Sequence, residues 1–284
     1  MKCKFLTVNG TETRVLFEGE HNKEALVLIH GFGSCAETWI NNIDALGRDY
    51  YVIVPDLIGH GFTAPVDLAG GPPHPKAVAH LFGVLDALGI DRFVPSGSSY
   101  GGLLAALMYF QAPQRVKKLV INGSGSTFNS EAELAASLKG TYANGALAFL
   151  NPTLETCRKR SQGTVYDPAS APETMVFMRL TSYSQPWMVE SWRSQVTAMM
   201  DIDKTRPYRI LERLERLDVE TMVVWGREDP RGVYASAVKG VQRMPKAKLV
   251  TFEKCGHLPF LEQPERYNRD IRAFLAGGLA AIAA

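Results

Sequence analysis

A chain of 284 residues, 46% hydrophobic and 21% charged, fits one large globular domain or a domain carrying an inserted subdomain. A formal charge of +2, with lysines and arginines scattered, excludes the strong basic bias of proteins that bind nucleic acid or anionic membranes, and points to a small-molecule partner. No apolar run approaches the roughly 18 residues that span a bilayer, and the first residues lack a signal peptide's apolar centre, so the expected location is cytoplasmic.

In chain order, residues 4–8 and 13–18 alternate well enough for an antiparallel pair, with Asn9-Gly10 at the turn. Residues 25–29 are continuously apolar, the pattern of a strand buried on both faces of a parallel sheet. Residues 51–54, 92–95, 118–121, 221–225 and 248–252 read as further buried strands. Between them the pattern predicts helices over 38–46, 75–88, 100–109, 233–241 and 264–275, with Pro75 and Pro264 in first turns that tolerate a missing amide. Strand alternating with helix implies right-handed crossovers and a mostly parallel sheet of the α/β class. The small apolar stretch 276–284 reads as a fraying helix end.

The alternation stops at residues 127–213, where helices are expected over 132–138, 154–161, 172–183 and 186–200. Residues 1–126 and 214–284 therefore form the core, and 127–213 an inserted helical lid over the carboxyl ends of the strands, where ligands bind in open α/β sheets. Within it Arg158-Lys159-Arg160 reads as a solvated helix face, and the lid aromatics, Trp187 and Trp192 among them, divide between lid core and substrate wall.

Gly97-Ser98-Ser99-Tyr100-Gly101 matches G-x-S-x-G between a predicted strand and a predicted helix. Glycines flank Ser99 because the turn is too tight for larger side chains, which leaves its hydroxyl clear of the sheet as a nucleophile. Ser96 and Ser98 lack that framing and are expected to pack or cap. A serine alcohol needs a base, and the base needs a carboxylate to orient it. His257, in Cys255-Gly256-His257, follows a predicted strand, and so does Asp229, in Gly226-Arg227-Glu228-Asp229, with Glu228 as the runner-up acid. The oxyanion is assigned to the backbone amides of Phe32, in His30-Gly31-Phe32-Gly33, and Tyr100. The His30 side chain is expected to brace its turn, and Asp56-Leu57-Ile58-Gly59-His60-Gly61 to form a structural turn. Cys3, Cys35, Cys157 and Cys255 are far apart, without zinc spacing, and His21, His74 and His80 show no pairing. Free thiols, no metal and no cofactor are expected.

These motifs, in this order, resemble the α/β-hydrolase superfamily over nearly the whole chain. The lid resembles that of the meta-cleavage-product hydrolases, which cut a carbon–carbon bond in vinylogous diketo acids, in Asn151-Pro152-Thr153, Arg158, Tyr166-Asp167-Pro168 and Met178-Arg179-Leu180. The resemblance implies that Arg179 holds the substrate carboxylate, and that a dienol is ketonised before water or Ser99 adds to its carbonyl. Leu258 stands where that family usually has Trp, Ser98 where it has Asn, and Phe32-Gly33-Ser34-Cys35 where its oxyanion loop runs Gly-Pro-Gly. Substrate contacts are therefore placed at Arg179, Leu258 and Trp187. Hydrolysis of a diketo or dienol acid leads; a carboxylesterase and a hydrolase-fold ligand receptor are the alternatives. A homo-oligomer stays open.

Overall fold

The computed structural model describes residues 1–282. Strands β1 (Lys2–Val8) and β2 (Thr11–Glu18) form the expected hairpin. The α/β alternation follows as β3 (Ala25–Ile29), α1 (Ile40–Leu46), β4 (Tyr51–Pro55), α2 (His74–Ala87), β5 (Phe93–Ser98), α3 (Tyr100–Gln111) and β6 (Leu119–Asn122). Helices α4 (Gly125–Phe128), α5 (Glu131–Leu150), α6 (Leu154–Gln162), α7 (Glu173–Tyr183), α8 (Met188–Met200) and α9 (Ile202–Thr205) then intervene. The chain returns through β7 (Thr221–Gly226), α10 (Tyr234–Gln242), β8 (Ala247–Phe252), α11 (Pro259–Glu262) and α12 (Pro264–Gly277).

The eight strands make one sheet in the order β1-β2-β4-β3-β5-β6-β7-β8; β2 pairs antiparallel with β1 and β4, and the rest is parallel. Because successive strand residues face opposite ways, β3 sends Val27 and Ile29 into one core and Leu26 and Leu28 into the other. Full burial of each such side chain contributes about 1.5–3 kcal/mol. A third cluster holds the intervening helices together: the Phe149 ring stacks on Tyr183 at 4.0 Å and on Trp192 at 4.9 Å.

Two expectations need correction. The strand at 248–252 is not buried throughout: β8 is the sheet's last strand, and only Val250 and Phe252 in it are buried. At the C-terminus α12 ends at Gly277, a 3-10 turn follows, and Ile282 is buried with its carbonyl accepting from Lys248 Nζ at 2.7 Å. Residues 283 and 284 lie outside the described residues.

The sheet register positions the site. Ile29 pairs with Gly97, Ser98 with Asn122, Asn122 with Val224, and Gly226 with Phe252. The carboxyl ends of five parallel strands thus stand in one row, and the loops that leave them share one rim.

Candidate active site

The turn between β5 and α3 puts Ser99 at φ 53°, ψ −117°, a left-handed conformation that L side chains rarely adopt. Its flanking glycines answer to close backbone approach. A Cβ at Gly97 would stand 2.0 Å from the Gly101 carbonyl oxygen, and one at Gly101 2.4 Å from that of Ile29. Only glycine fits either place. The Ser99 amide donates to the Asn122 carbonyl at 2.8 Å, and the Ser99 carbonyl accepts from Ser124 Oγ at 2.6 Å, which fixes the strained turn from the neighbouring loop. Ser96 packs, its hydroxyl within hydrogen-bond distance of Tyr267 at 3.1 Å, while Ser98 is buried at the cavity wall.

On the loops after β7 and β8, His257 Nδ1 lies 2.9 Å from both carboxylate oxygens of Asp229. Oδ1 of Asp229 also accepts from the amides of Arg231 (2.7 Å) and Gly232 (3.1 Å), so the carboxylate is pinned before it meets the ring. Glu228 points elsewhere and accepts from the Cys255 amide at 3.0 Å. Behind the pair is Gly123, at φ 51°, where a Cβ would stand 3.0 Å from the His257 carbonyl oxygen and 3.3 Å from Nδ1. The His257 amide donates to the Thr164 carbonyl at 2.8 Å. The Glu262 carboxylate accepts from the amides of Gly256, Leu258 and Tyr166 at about 3 Å, joining this loop to the segment between α6 and α7.

After β3, His30 Nδ1 donates to the Gly31 carbonyl at 2.8 Å while its Nε2 accepts from the Leu57 amide at 3.0 Å. Burial pushes the ring down to about 4, so it is neutral and able to accept. The Asp56 turn is structural in the same sense: its carboxylate accepts from Arg14 Nε (2.7 Å) and from the amides of Ala36 and Phe62.

Ser99, His257, Phe32, Tyr100, Leu258 and Arg179 all line one cavity. Among the described residues, the amides of Phe32 and Tyr100 donate to no protein acceptor, and the Ser99 hydroxyl and the His257 ring share the cavity without a direct hydrogen bond. Such bonds are commonly loose in the absence of substrate. Trp187 is not in the wall; it is half-buried and packs against the apolar cluster of Phe149, Tyr183 and Trp192 in the helices between β6 and β7, which offers its ring an apolar surface.

Two wall residues escape a reading by sequence pattern. Arg160 is not solvated but 6% exposed, on the face of α6 that also buries Cys157 and Ser161. The basic run carried no mark that separates it from Arg158, which reaches Glu173. Arg231, two residues past Asp229, carried no signal beyond proximity.

A model of the alpha/beta hydrolase family matches residues 26–270. The chain belongs to this family. It is similar to the 2-hydroxy-6-oxononadienedioate/2-hydroxy-6-oxononatrienedioate hydrolase of Burkholderia vietnamiensis, 34% identical, over 94% of this chain and 92% of that one. The 2-hydroxy-6-oxo-2,4-heptadienoate hydrolase of Pseudomonas putida is 28% identical over 96% of each. Among solved structures, a mutant meta-cleavage product hydrolase from Pseudomonas fluorescens, complexed with acetates, superposes with a TM-score of 0.79 at 27% identity, covering 96% of this chain and 97% of that one. The protein is an enzyme of the hydrolase class, similar over nearly its full length to hydrolases named for meta-cleavage products.

Proposed function

We propose that this enzyme hydrolyses a carbon–carbon bond in a 2-hydroxy-6-oxo-dienoate acid. Ser99 is the nucleophile, His257 the base and Asp229 the carboxylate that orients it; the helical segment between β6 and β7 is the lid. The observation that carries the reading is the cavity that Ser99 and His257 share with Arg179, an arginine 5% exposed with no carboxylate partner among the described residues. Its guanidinium is held by neutral oxygens alone: Nε donates to Ser161 Oγ at 2.9 Å, and Nη1 to Tyr183 Oη at 2.8 Å. A planar fork in that state is suited to a carboxylate.

With the acid on Arg179, the dienol gives up its hydroxyl proton as it takes one at carbon, and becomes the diketo form. The Ser99 oxygen adds to the remote carbonyl as His257 takes its proton, and the oxyanion meets the amides of Phe32 and Tyr100. When the carbonyl re-forms, the carbon–carbon bond breaks. Its electron pair passes to the carbon conjugated with the keto acid, which takes the proton back from His257. Water, deprotonated by the same imidazole, then adds to the acyl carbonyl, and the imidazole returns that proton to the Ser99 oxygen as the acyl group leaves as a carboxylic acid.

A ring-fission dienol acid and an aryl ester, offered to the native enzyme, Ser99→Ala and Arg179→Gln, test this reading. Dienol absorbance should decay, roughly 10³-fold or more slower without the hydroxyl and about 10–100-fold less efficiently without the guanidinium. Ester turnover indifferent to Arg179, with dienol absorbance unchanged, would leave the carboxylesterase reading, which is supported by Leu258 on the cavity wall, where the resembled family usually has Trp.

A further inference from the structure

Arg179 is not alone. Arg160 and Arg231 line the same cavity, and no aspartate or glutamate does. Arg160 donates from Nε to Tyr183 Oη at 2.8 Å, the same hydroxyl that Arg179 uses, and its Nη1 and Nη2 reach no protein acceptor among the described residues. Arg231 meets neutral groups, the Gly163 carbonyl at 3.2 Å and the side chain of Asn144. The nearby carboxylate, Asp229, is committed to His257 and to two loop amides.

The wall is shaped to hold these heads. A Cβ at Gly33 would stand 2.6 Å from Arg160 Nη2, and one at Gly145 2.8 Å from Nη1, so two glycines leave the guanidinium its place beneath the Phe149 ring, 5.1 Å away. Neighbouring residues of α5, Asn144 and Gly145, touch Arg231 and Arg160 respectively, which puts the two arginines at one turn of that helix. Three guanidiniums in one partly desolvated cavity repel each other, and one carboxylate on Arg179 would leave two of them unanswered.

We infer that Arg160 and Arg231 form a second carboxylate subsite, and that the substrate is a dicarboxylate. This narrows the function proposed above and rests on it for the role of Arg179. Several of the similar hydrolases are named for nonadienedioates, and the Pseudomonas putida one for a heptadienoate; the uncompensated arginines assign the residues that would hold the second carboxylate.

The test uses adipate, its monomethyl ester and hexanoate as non-reacting probes in calorimetric titrations of the native enzyme, Arg160→Gln, Arg160→Lys and Arg231→Gln, with circular dichroism as the folding control. A matched pair of ring-fission acids, one ending in carboxylate and one in methyl, supplies the kinetic arm. Adipate should bind at least about tenfold tighter than either monoacid, and the preference should collapse in both Gln variants, a charge-assisted pair being worth about 10–100-fold. Arg160→Lys should recover part of it. Equal binding of monoacid and diacid, a preference untouched by either Gln variant, or inorganic phosphate displacing adipate at lower concentration would overturn the inference. The two proposals fail separately. A diacid preference without dienol cleavage keeps the subsite and loses the reaction; equally fast cleavage of both acids keeps the reaction and loses the subsite.

Discussion

Arg14 and Arg160 are buried to the same degree, 7% and 6% exposed, in opposite company. Arg14, in β2, donates from Nε to Asp56 at 2.7 Å and from Nη1 and Nη2 to Glu37 at 2.6 and 2.7 Å, and these carboxylates hold its pKa above the ordinary arginine value against burial. Arg160, in the helical segment, meets a phenol, an aromatic face and other arginines, and burial pushes its pKa down. A buried cation whose hydrogen bonds are answered from within the chain belongs to the framework. One left unanswered is free to take its counterion from a ligand.

Removing each cation should therefore have opposite consequences. Arg14→Ala leaves the buried Asp56 and the half-buried Glu37 without their partner, and equilibrium unfolding in urea should show a loss of about 3–5 kcal/mol. Arg160→Met removes an uncompensated charge, and the same measurement should show a gain of about 1 kcal/mol alongside the lost diacid preference. Equal destabilisation of both variants would erase the distinction.

Acid probes the framework from another side. Burial holds His30, His74 and His80 down at about 4 and His60 at about 3, against 6.5 for an exposed imidazole. Their folded values are depressed, so between 6.5 and 4 the unfolded chain binds more protons than the folded one. Stability is complete above that window and declines as pH falls through it. Each of these histidines should cost about 1.4 kcal/mol at one unit below the unfolded value, seen as a falling urea midpoint. A midpoint flat from pH 7 to 5 would contradict the burial described.

A matched glycine pair on α5 gives the finest contrast. Gly145→Ala puts a methyl 2.8 Å from Arg160 Nη1, at the movable end of a side chain, so the enzyme should fold but bind adipate about tenfold more weakly. Gly140→Ala meets nothing within 4 Å and should stabilise by about 0.5–1 kcal/mol with binding unchanged. Loss of binding in both, or in neither, would detach Gly145 from the subsite.

What could be read in the chain followed from local pattern. The buried strands β3, β5, β6 and β7 are short apolar runs with punctuation at both ends, and Ser99, Asp229 and His257 each follow a strand by a few residues, so their placement on loops of one rim was legible from order alone. Burial imposed by tertiary packing was not. Helix α5 runs 20 residues, well past the expected 132–138, because the stack of Phe149 on Trp192 and Tyr183 carries it through the weak formers Gly140, Asn144 and Gly145. Arg160 sat in a basic run that reads as solvated, and only the neighbouring helices show that its face of α6 is covered. Trp187 erred the other way, since an aromatic beside a helix carries no mark of which side it faces.

A reactive serine and an anion-binding wall in one cavity are both addressed by one kinetic measurement: the rate at which a fluorophosphonate labels the native enzyme, with and without adipate, read by peptide mass. Label should appear on Ser99 alone and be suppressed as adipate saturates, with Arg160→Gln requiring roughly tenfold more adipate for the same protection. Label on another residue, or on Ser99 at a rate indifferent to adipate, would contradict the shared cavity as the site of reaction.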